Sequence, residues 1–331
     1  MKKRVSIKDV ASRAGVSTAL VSYVLNNKKE GRISKEASEK IKQAAMELNY
    51  VPNQIARSLK VQKTNTIGLI VADIANPYSS LIARFIENEA QKNGYSVIFG
   101  SSDESVGKTQ DLIMLFFNRQ VDGLIVALPE KAEVQLKYLK GTGIPFVLID
   151  RYYPDFQTNT VCIDNYSAAK TAVEHLIAQG RRRIGVINYE TNLHHLLERE
   201  RGALDTVVDN ELLQRVRLDY IQEDVETGIQ KLLELPEPID SLFFTTNLLT
   251  ISGLKYFIKK NIKIPNKLSI VGFDETDAFD IFSSPVSYVK QPMEDLANQA
   301  VNLLLKVMEN PEETETITLQ TELVIRESSM N

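Results

Sequence analysis

The chain has 331 residues, 43% of them apolar and 25% charged, which is the make-up of a globular protein of two or three folding units and excludes a small stapled fold. Its single cysteine, Cys162, has no cysteine partner for a disulfide or a structural zinc, so no metal and no other cofactor is implied. The net charge of −4 is unevenly spread: residues 1–63 carry 14 Lys and Arg against 5 Asp and Glu, and the remainder carries 25 against 38. A basic head on an acidic body points to a nucleic-acid-binding arm.

Met1-Lys2-Lys3-Arg4 leads into Ser6-Ile7-Lys8-Asp9 rather than into an apolar stretch, and no apolar run nears the roughly 20 residues that span a bilayer. A cytoplasmic protein with no membrane partner is expected. Ser6 to Asp9 fits a helix-capping pattern, so a first helix starts near Ile7, with Ile7, Val10, Ala11 and Ala14 on one apolar stripe and Gly15 ending it. Ser17 caps a second helix in which Leu20, Val21, Val24 and Leu25 face inward, leaving Thr18, Ala19, Ser22, Tyr23 and Asn26 outside. Helix, glycine turn and helix make a helix-turn-helix, whose second helix enters the major groove of DNA, although amphipathic pairs without DNA share that spacing. A third helix from Ser34 to Asn49, with Ala37, Ile41, Ala44, Ala45 and Leu48 inward, closes a small core, and the charged loop over 26–32 suits phosphate contact.

After the polar linker Lys60 to Asn65 the texture becomes α/β. Buried-strand runs at Ile67–Val71, Ser96–Phe99, Gly123–Val126, Phe146–Ile149, Ile184–Ile187, Leu242–Phe244 and Leu268–Val271 alternate with helical patterns such as Leu81–Asn93 and Ala168–Gln179. These predict two parallel sheets, each covered by helices, with a cleft between two halves. Ligands of open α/β sheets bind beyond the carboxyl ends of the strands, where this sequence places Asp73 to Ser79, Asp150-Arg151, Asn247 and Asp274.

Ile7-Lys8-Asp9-Val10-Ala11, Ala14-Gly15-Val16-Ser17, Val21-Ser22-Tyr23-Val24-Leu25-Asn26, Leu48-Asn49-Tyr50-Val51-Pro52-Asn53 and Ile55-Ala56-Arg57-Ser58-Leu59 together resemble the lactose/galactose repressor (LacI/GalR) family, and the likeness continues through the body. The resemblance implies a helix-turn-helix domain over 1–50, a hinge helix and linker over 51–65, and an effector-binding and dimerisation domain over 66–329 that looks like the periplasmic sugar-binding proteins. In that last domain an N-subdomain spans about 66–163 and 291–318, and a C-subdomain about 164–290 and 319–329. It implies contacts with double-stranded operator DNA from Ser6, Ser17, Thr18, Ala19, Ser22, Tyr23, Asn26, Asn53, Ile55, Ala56 and Leu59, with Leu59 as the minor-groove wedge, a role that suits an apolar side chain opening a base step. Tyr23 stands where the family commonly has Arg, so operator preference at that base differs.

By the same resemblance Tyr78, Ser79, Arg199, Asn247 and Asp274, joined by Asp150 from its place after a strand, hold a small effector, a carbohydrate before a purine, with a phosphocarrier protein as a further alternative. Asp accepts from vicinal hydroxyls, Arg donates in a planar fork, and a tyrosine ring covers an apolar sugar face. Read without the family, Asp274 equally suits a helix cap, Arg199 a pair with Glu198 or Glu200, and Tyr78 the core. Arg151 is open: pointing inward, it would make an acidic sugar attractive. Leu248 replaces a polar residue common in the family, and His194 and His195 read as cleft-edge surface. No enzyme motif is present: neither G-x-S-x-G, a P-loop, G-x-G-x-x-G nor a Cys/His constellation. The strand-like Ile317 to Arg326 is followed by no leucine-rich tail, so a homodimer on a pseudo-palindromic operator is expected, with Leu81, Ile82 and Phe85 as candidate dimer contacts.

Overall fold

The computed structural model describes residues 5–25, 33–51, 63–207 and 212–330. The chain divides into two compact units, Met1–Thr64 and Asn65–Asn331, each considered by itself. Among the described residues no helix is long and apolar enough to cross a membrane.

In the first unit, α1 (Ile7–Ala14), α2 (Thr18–Leu25) and α3 (Lys35–Glu47) enclose Val10, Ala11, Val21, Val24, Ile41, Ala44 and Ala45. Each start is fixed by a side chain that satisfies a backbone donor of the first turn. The Asp9 carboxylate accepts from the Ser6 backbone N–H at 2.8 Å and from its hydroxyl at 2.7 Å. Ser17 Oγ accepts from Leu20 N at 3.3 Å, and Ser34 Oγ from Ala37 N at 3.2 Å. Gly15 ends α1 at φ +67°, a left-handed conformation that a side chain would strain.

The second unit holds two six-stranded sheets. In the first, β1 (Thr66–Val71), β2 (Ser96–Ser101), β3 (Gly123–Val126), β4 (Phe146–Ile149), β5 (Thr160–Ile163) and β11 (Thr316–Leu319) lie in the order β11-β5-β4-β3-β1-β2, all parallel. In the second, β6 (Ile184–Tyr189), β7 (Leu213–Val216), β8 (Ser241–Phe244), β9 (Ser269–Phe273), β10 (Ser287–Lys290) and β12 (Glu322–Val324) lie in the order β12-β10-β9-β8-β6-β7. Only its edge strand β12 runs antiparallel, against β10. The run expected as one strand over 317–326 is therefore two, one in each sheet, because the chain changes sheets between Leu319 and Glu322. Strand order reverses at β1 and again at β6, the topological switch points where such sheets open a crevice.

The helices over these sheets are α4 (Pro77–Lys92), α5 (Val106–Asn118), α6 (Glu133–Thr142), α7 (Asn165–Ala178), α8 (His194–Leu204), α9 (Ile221–Leu233), α10 (Asn247–Lys260), α11 (Ala278–Ile281) and α12 (Met293–Glu309). Late in sequence, α12 packs on α4, β3, β4 and β5 and buries Leu296, Ala297, Ala300, Val301, Leu303 and Leu304 in the core of the first sheet. Ile82 is also part of that core and Phe85 packs half-buried against it, so Ile82, expected at a dimer surface, serves the interior of its own subunit. Its place on α4 brings it under the sheet with Ile86 and Ala90, at the spacing of one helix face.

Candidate functional site

The residues after the strands of both sheets face one another across a cavity of about 420 Å³, within the range of small-molecule sites. Tyr78, Ser79, Asp150, Arg199, Asn247 and Asp274 all line it. Local structure explains how each arrives there. Asn76 caps α4, accepting from Tyr78 N at 3.0 Å, with Pro77 in the first turn, so Tyr78 and Ser79 start the helix at the cavity. Across the cleft Asn247 opens α10 and donates through Nδ2 to Asn76 Oδ1 at 3.1 Å, joining the two halves.

Asp150 and Asp274 occupy equivalent places in the two sheets. Each follows a central strand in the left-handed region, φ +65° and +66°, and each donates its N–H to the next strand, to Val161 O and Val289 O, both at 2.9 Å. The Asp274 carboxylate accepts from Gln291 Nε2 at 2.6 Å and from the backbone N–H of Asn247 at the start of α10. The Tyr78 hydroxyl lies beside the Asp150 carboxylate and, as a hydrogen-bond donor to it, favours its ionised form. Burial raises both carboxyl pKa values, opposed by the positive charge of Arg199.

Arg199, 2% exposed, reaches inward from α8. Its Nε donates to Asn165 Oδ1 and its Nη1 to Thr245 O, each at 2.8 Å, while the guanidinium lies 3.7 Å from the centre of the Phe273 ring. The pairs with Glu198 or Glu200 that the sequence allowed are not made: Glu198 holds Arg201 and Glu200 holds Arg215. Gly202, one turn further along α8, allows the approach, since a Cβ there would stand 2.2 Å from Tyr166 O on α7.

The expectation for the adjacent histidines needs correction. His195 is not cleft-edge surface but 5% exposed and part of the cavity wall, with Nδ1 unpartnered among the described residues. Burial, with Arg199 and Arg151 nearby, holds its pKa well below the ordinary histidine value, so the ring is neutral. It turns inward because it falls on the same face of α8 as Arg199, four residues on. His194 packs edge-on against Tyr152 of the opposite half, ring centres 4.9 Å apart. Beside it the Glu130 carboxylate accepts from Thr191 Oγ1 at 2.7 Å and Asn192 Nδ2 at 3.0 Å, a second contact across the cleft mouth. Burial raises the Glu130 pKa, but these hydrogen bonds, a further one from the Asn192 backbone and the charge of Lys131 together outweigh it and the net shift is downward.

Arg151, left open by the sequence, does line the cavity, but it donates from both terminal nitrogens to Glu104. Gln291 also contributes to the wall a buried polar atom, Oε1, unpartnered among the described residues, and Tyr189 contributes a hydroxyl that Thr246 hydrogen-bonds, its phenol pushed up by burial to about 12. The rule that placed Asp150 and Asp274, polar residues just past a strand, applies equally to Tyr189 and Gln291; Gln291 was missed with its strand β10, whose Ser287-Tyr288-Val289-Lys290 lacks the apolar run used to find the others.

In the first unit, Ser6, Ser17, Thr18 and Ala19 are exposed, and Ser22 and Tyr23 are half-buried. Asn26, Asn53, Ile55, Ala56 and Leu59 lie outside the described residues.

Residues 6–53 match the model of bacterial regulatory proteins of the lacI family, and residues 173–329 match the periplasmic binding protein-like domain. A ribose operon repressor of Halalkalibacterium halodurans is 34% identical over 98% of this chain and 97% of its own length. The repressor CytR of Escherichia coli is 32% identical, covering 92% of this chain and 90% of its own, and the repressor PurR of Actinobacillus pleuropneumoniae is 30% identical over 98% of each. The fold matches a lac repressor dimer bound to operator and an anti-inducer with a TM-score of 0.87 at 22% identity, covering 99% of this chain and 100% of that one. The fold and its cleft thus define a regulator with a helix-turn-helix head and a periplasmic-binding-protein-like body. This chain belongs to the lacI family of bacterial regulatory proteins.

Proposed function

We propose that this protein is a homodimeric repressor whose affinity for a pseudo-palindromic operator is set by an uncharged polyhydroxylated effector held in the cleft. The observation that carries the reading is a cavity of about 420 Å³ walled by buried hydrogen-bonding groups, the Tyr78 and Tyr189 hydroxyls and the Asp150 carboxylate, with His195 Nδ1 and Gln291 Oε1 left without partners among the described residues. Buried polar groups of this kind call for partners, and a polyol supplies donors and acceptors at every carbon. The site has no catalytic task on this reading: Arg199 is fixed through Nε and Nη1 and serves as a donor, and the carboxylates serve as acceptors. Effector binding and DNA binding are linked, so each changes the affinity of the other by the same factor.

A thermal-shift screen of the full chain against neutral sugars, sugar acids, sugar phosphates and purine bases tests this. At 100 times its dissociation constant a ligand adds about 2.7 kcal/mol of stability, visible as a higher melting temperature. The expected hit is a neutral sugar; a purine as the sole hit overturns the polyol assignment, and silence throughout turns the search to a protein co-regulator. Leu59→Ala, outside the described residues, is expected to weaken operator binding in an anisotropy titration while sparing effector binding. Unchanged operator affinity removes the wedge assignment.

A further inference from the structure

Arg151 forms part of the cavity wall, and its guanidinium is already occupied. Nη1 donates to Glu104 Oε2 and Nη2 to Glu104 Oε1, both at 2.7 Å, the two-pronged geometry in which an arginine receives the carboxylate or phosphate of a ligand. The pair is largely withdrawn from solvent, the side chains being 14% and 24% exposed.

The turn that delivers Glu104 is unusual in its backbone. Asp103 and Glu104 are consecutive left-handed residues, φ +49° and +57°, and neither is glycine. The turn is braced on every side: Glu104 N donates to Ala72 O at 3.0 Å, and Asp103 takes a hydrogen bond from Ser101 and an ion pair from Lys108. A turn with two non-glycine left-handed residues, held by several contacts, thus aims an acidic side chain at a cavity arginine.

We propose that Glu104 sets the charge specificity of the cleft. Its carboxylate fills the place at Arg151 where an acidic group of a ligand would sit, so the pocket refuses sugar acids and sugar phosphates and takes effectors uncharged at that end. With the Arg151–Glu104 pair neutral as a unit, the charges left in the buried wall are Asp150 and Asp274 against Arg199, an excess of negative charge that an anion would meet after shedding its water. This inference rests on reading the cavity as the effector site, but its test does not require the effector.

Glu104→Ala empties the place of the carboxylate and frees the arginine fork. Calorimetric and thermal-shift titrations of the full chain with sodium acetate, at ionic strength matched with sodium chloride, are expected to show acetate binding to Glu104→Ala at least tenfold more tightly than to the unmodified protein. The double variant Glu104→Ala/Arg151→Gln loses that gain, which separates it from anions collected by the basic head. Glu104→Ser gives the same reading should the alanine variant not accumulate. Equal acetate response in the unmodified protein and both single variants, or a gain that survives removal of Arg151, overturns the proposal. Failure of the effector reading itself appears elsewhere, as silence of the unmodified protein toward neutral sugars.

Discussion

Asp274 and Arg199 show how one side chain can be held ready for a ligand by neighbouring side chains and backbone. Gln291 takes one oxygen of Asp274, and Asn165 and the Thr245 carbonyl take two of the three donor directions of Arg199. Removing a charged hydrogen-bonding partner costs about 1.5–3 kcal/mol, so Asp274→Ala is expected to weaken effector binding by roughly 10- to 100-fold by calorimetry and to leave operator affinity without effector unchanged. Retained effector affinity removes Asp274 from the site. Because its carboxyl pKa is raised, acidification protonates the acceptor earlier than for an exposed aspartate, and effector affinity falls as pH drops through that raised value. These two residues were legible from the sequence, by strand ends and by family motif. Their supports were not: Asn165 and Thr245 meet Arg199 only through contacts between segments distant in the chain, which no local pattern records, and Gln291 was hidden behind a strand without an apolar run.

At the scale of the element, α8 is the component that joins packing to ligand chemistry. The backbone of Tyr166 on α7 passes so close that only glycine fits at Gly202. Gly202→Ala must push α8 outward, and with it Arg199 and His195; a destabilisation of about 1–3 kcal/mol is expected, read as a lower denaturation midpoint, with a parallel loss of effector affinity. Normal effector binding by a destabilised Gly202→Ala protein would show that α8 position does not set the site. The same helix begins at the cleft mouth, where Thr191 and Asn192 hold Glu130 and His194 meets Tyr152. Glu130→Ala, which removes the hydrogen-bonded bridge, is expected to speed effector association and dissociation together in stopped-flow traces; unchanged rates would rule out a gating role for this contact. The helix pattern of this stretch was readable in outline, but its inward histidine was not, since the pair His194-His195 gives no sign of which ring turns in until the position of Arg199 on the same face is known.

For the molecule as a whole, stability carries opposing pH dependences. His195 is kept neutral by burial, whereas in the unfolded chain it takes a proton near the ordinary value of 6.5, so stability falls as pH drops through that region. His175, also lowered by burial, acts in the same direction. Asp150 and Asp274 act oppositely: their folded pKa values are raised, so they cost stability above those values and the cost is relieved on acidification. His195→Gln is therefore expected to show a smaller drop in melting temperature between pH 7 and about 5.5 than the unmodified protein; an identical drop assigns the effect elsewhere. The α/β architecture was visible in the apolar runs, yet β5, β7 and β10 were not singled out as strands. β7 is a polar edge, Leu213-Gln214-Arg215-Val216, and β10 mixes polar with apolar residues in only four positions, so neither offers the continuous run of a buried central strand.

The placement of α12 has a consequence for how this protein is made. The strands of the first sheet that α12 covers, β3 to β5, have all been synthesised by Ile163, but the helix that buries their face is complete only at Glu309. At about 5–20 residues per second, roughly 7 to 30 seconds pass during which that apolar face has α4 beside it but lacks the cover of α12. Within the second unit the half that is made first is thus the half that must wait, and its partly exposed sheet is the natural point for a chaperone to act, or for aggregation to begin when synthesis outpaces assistance.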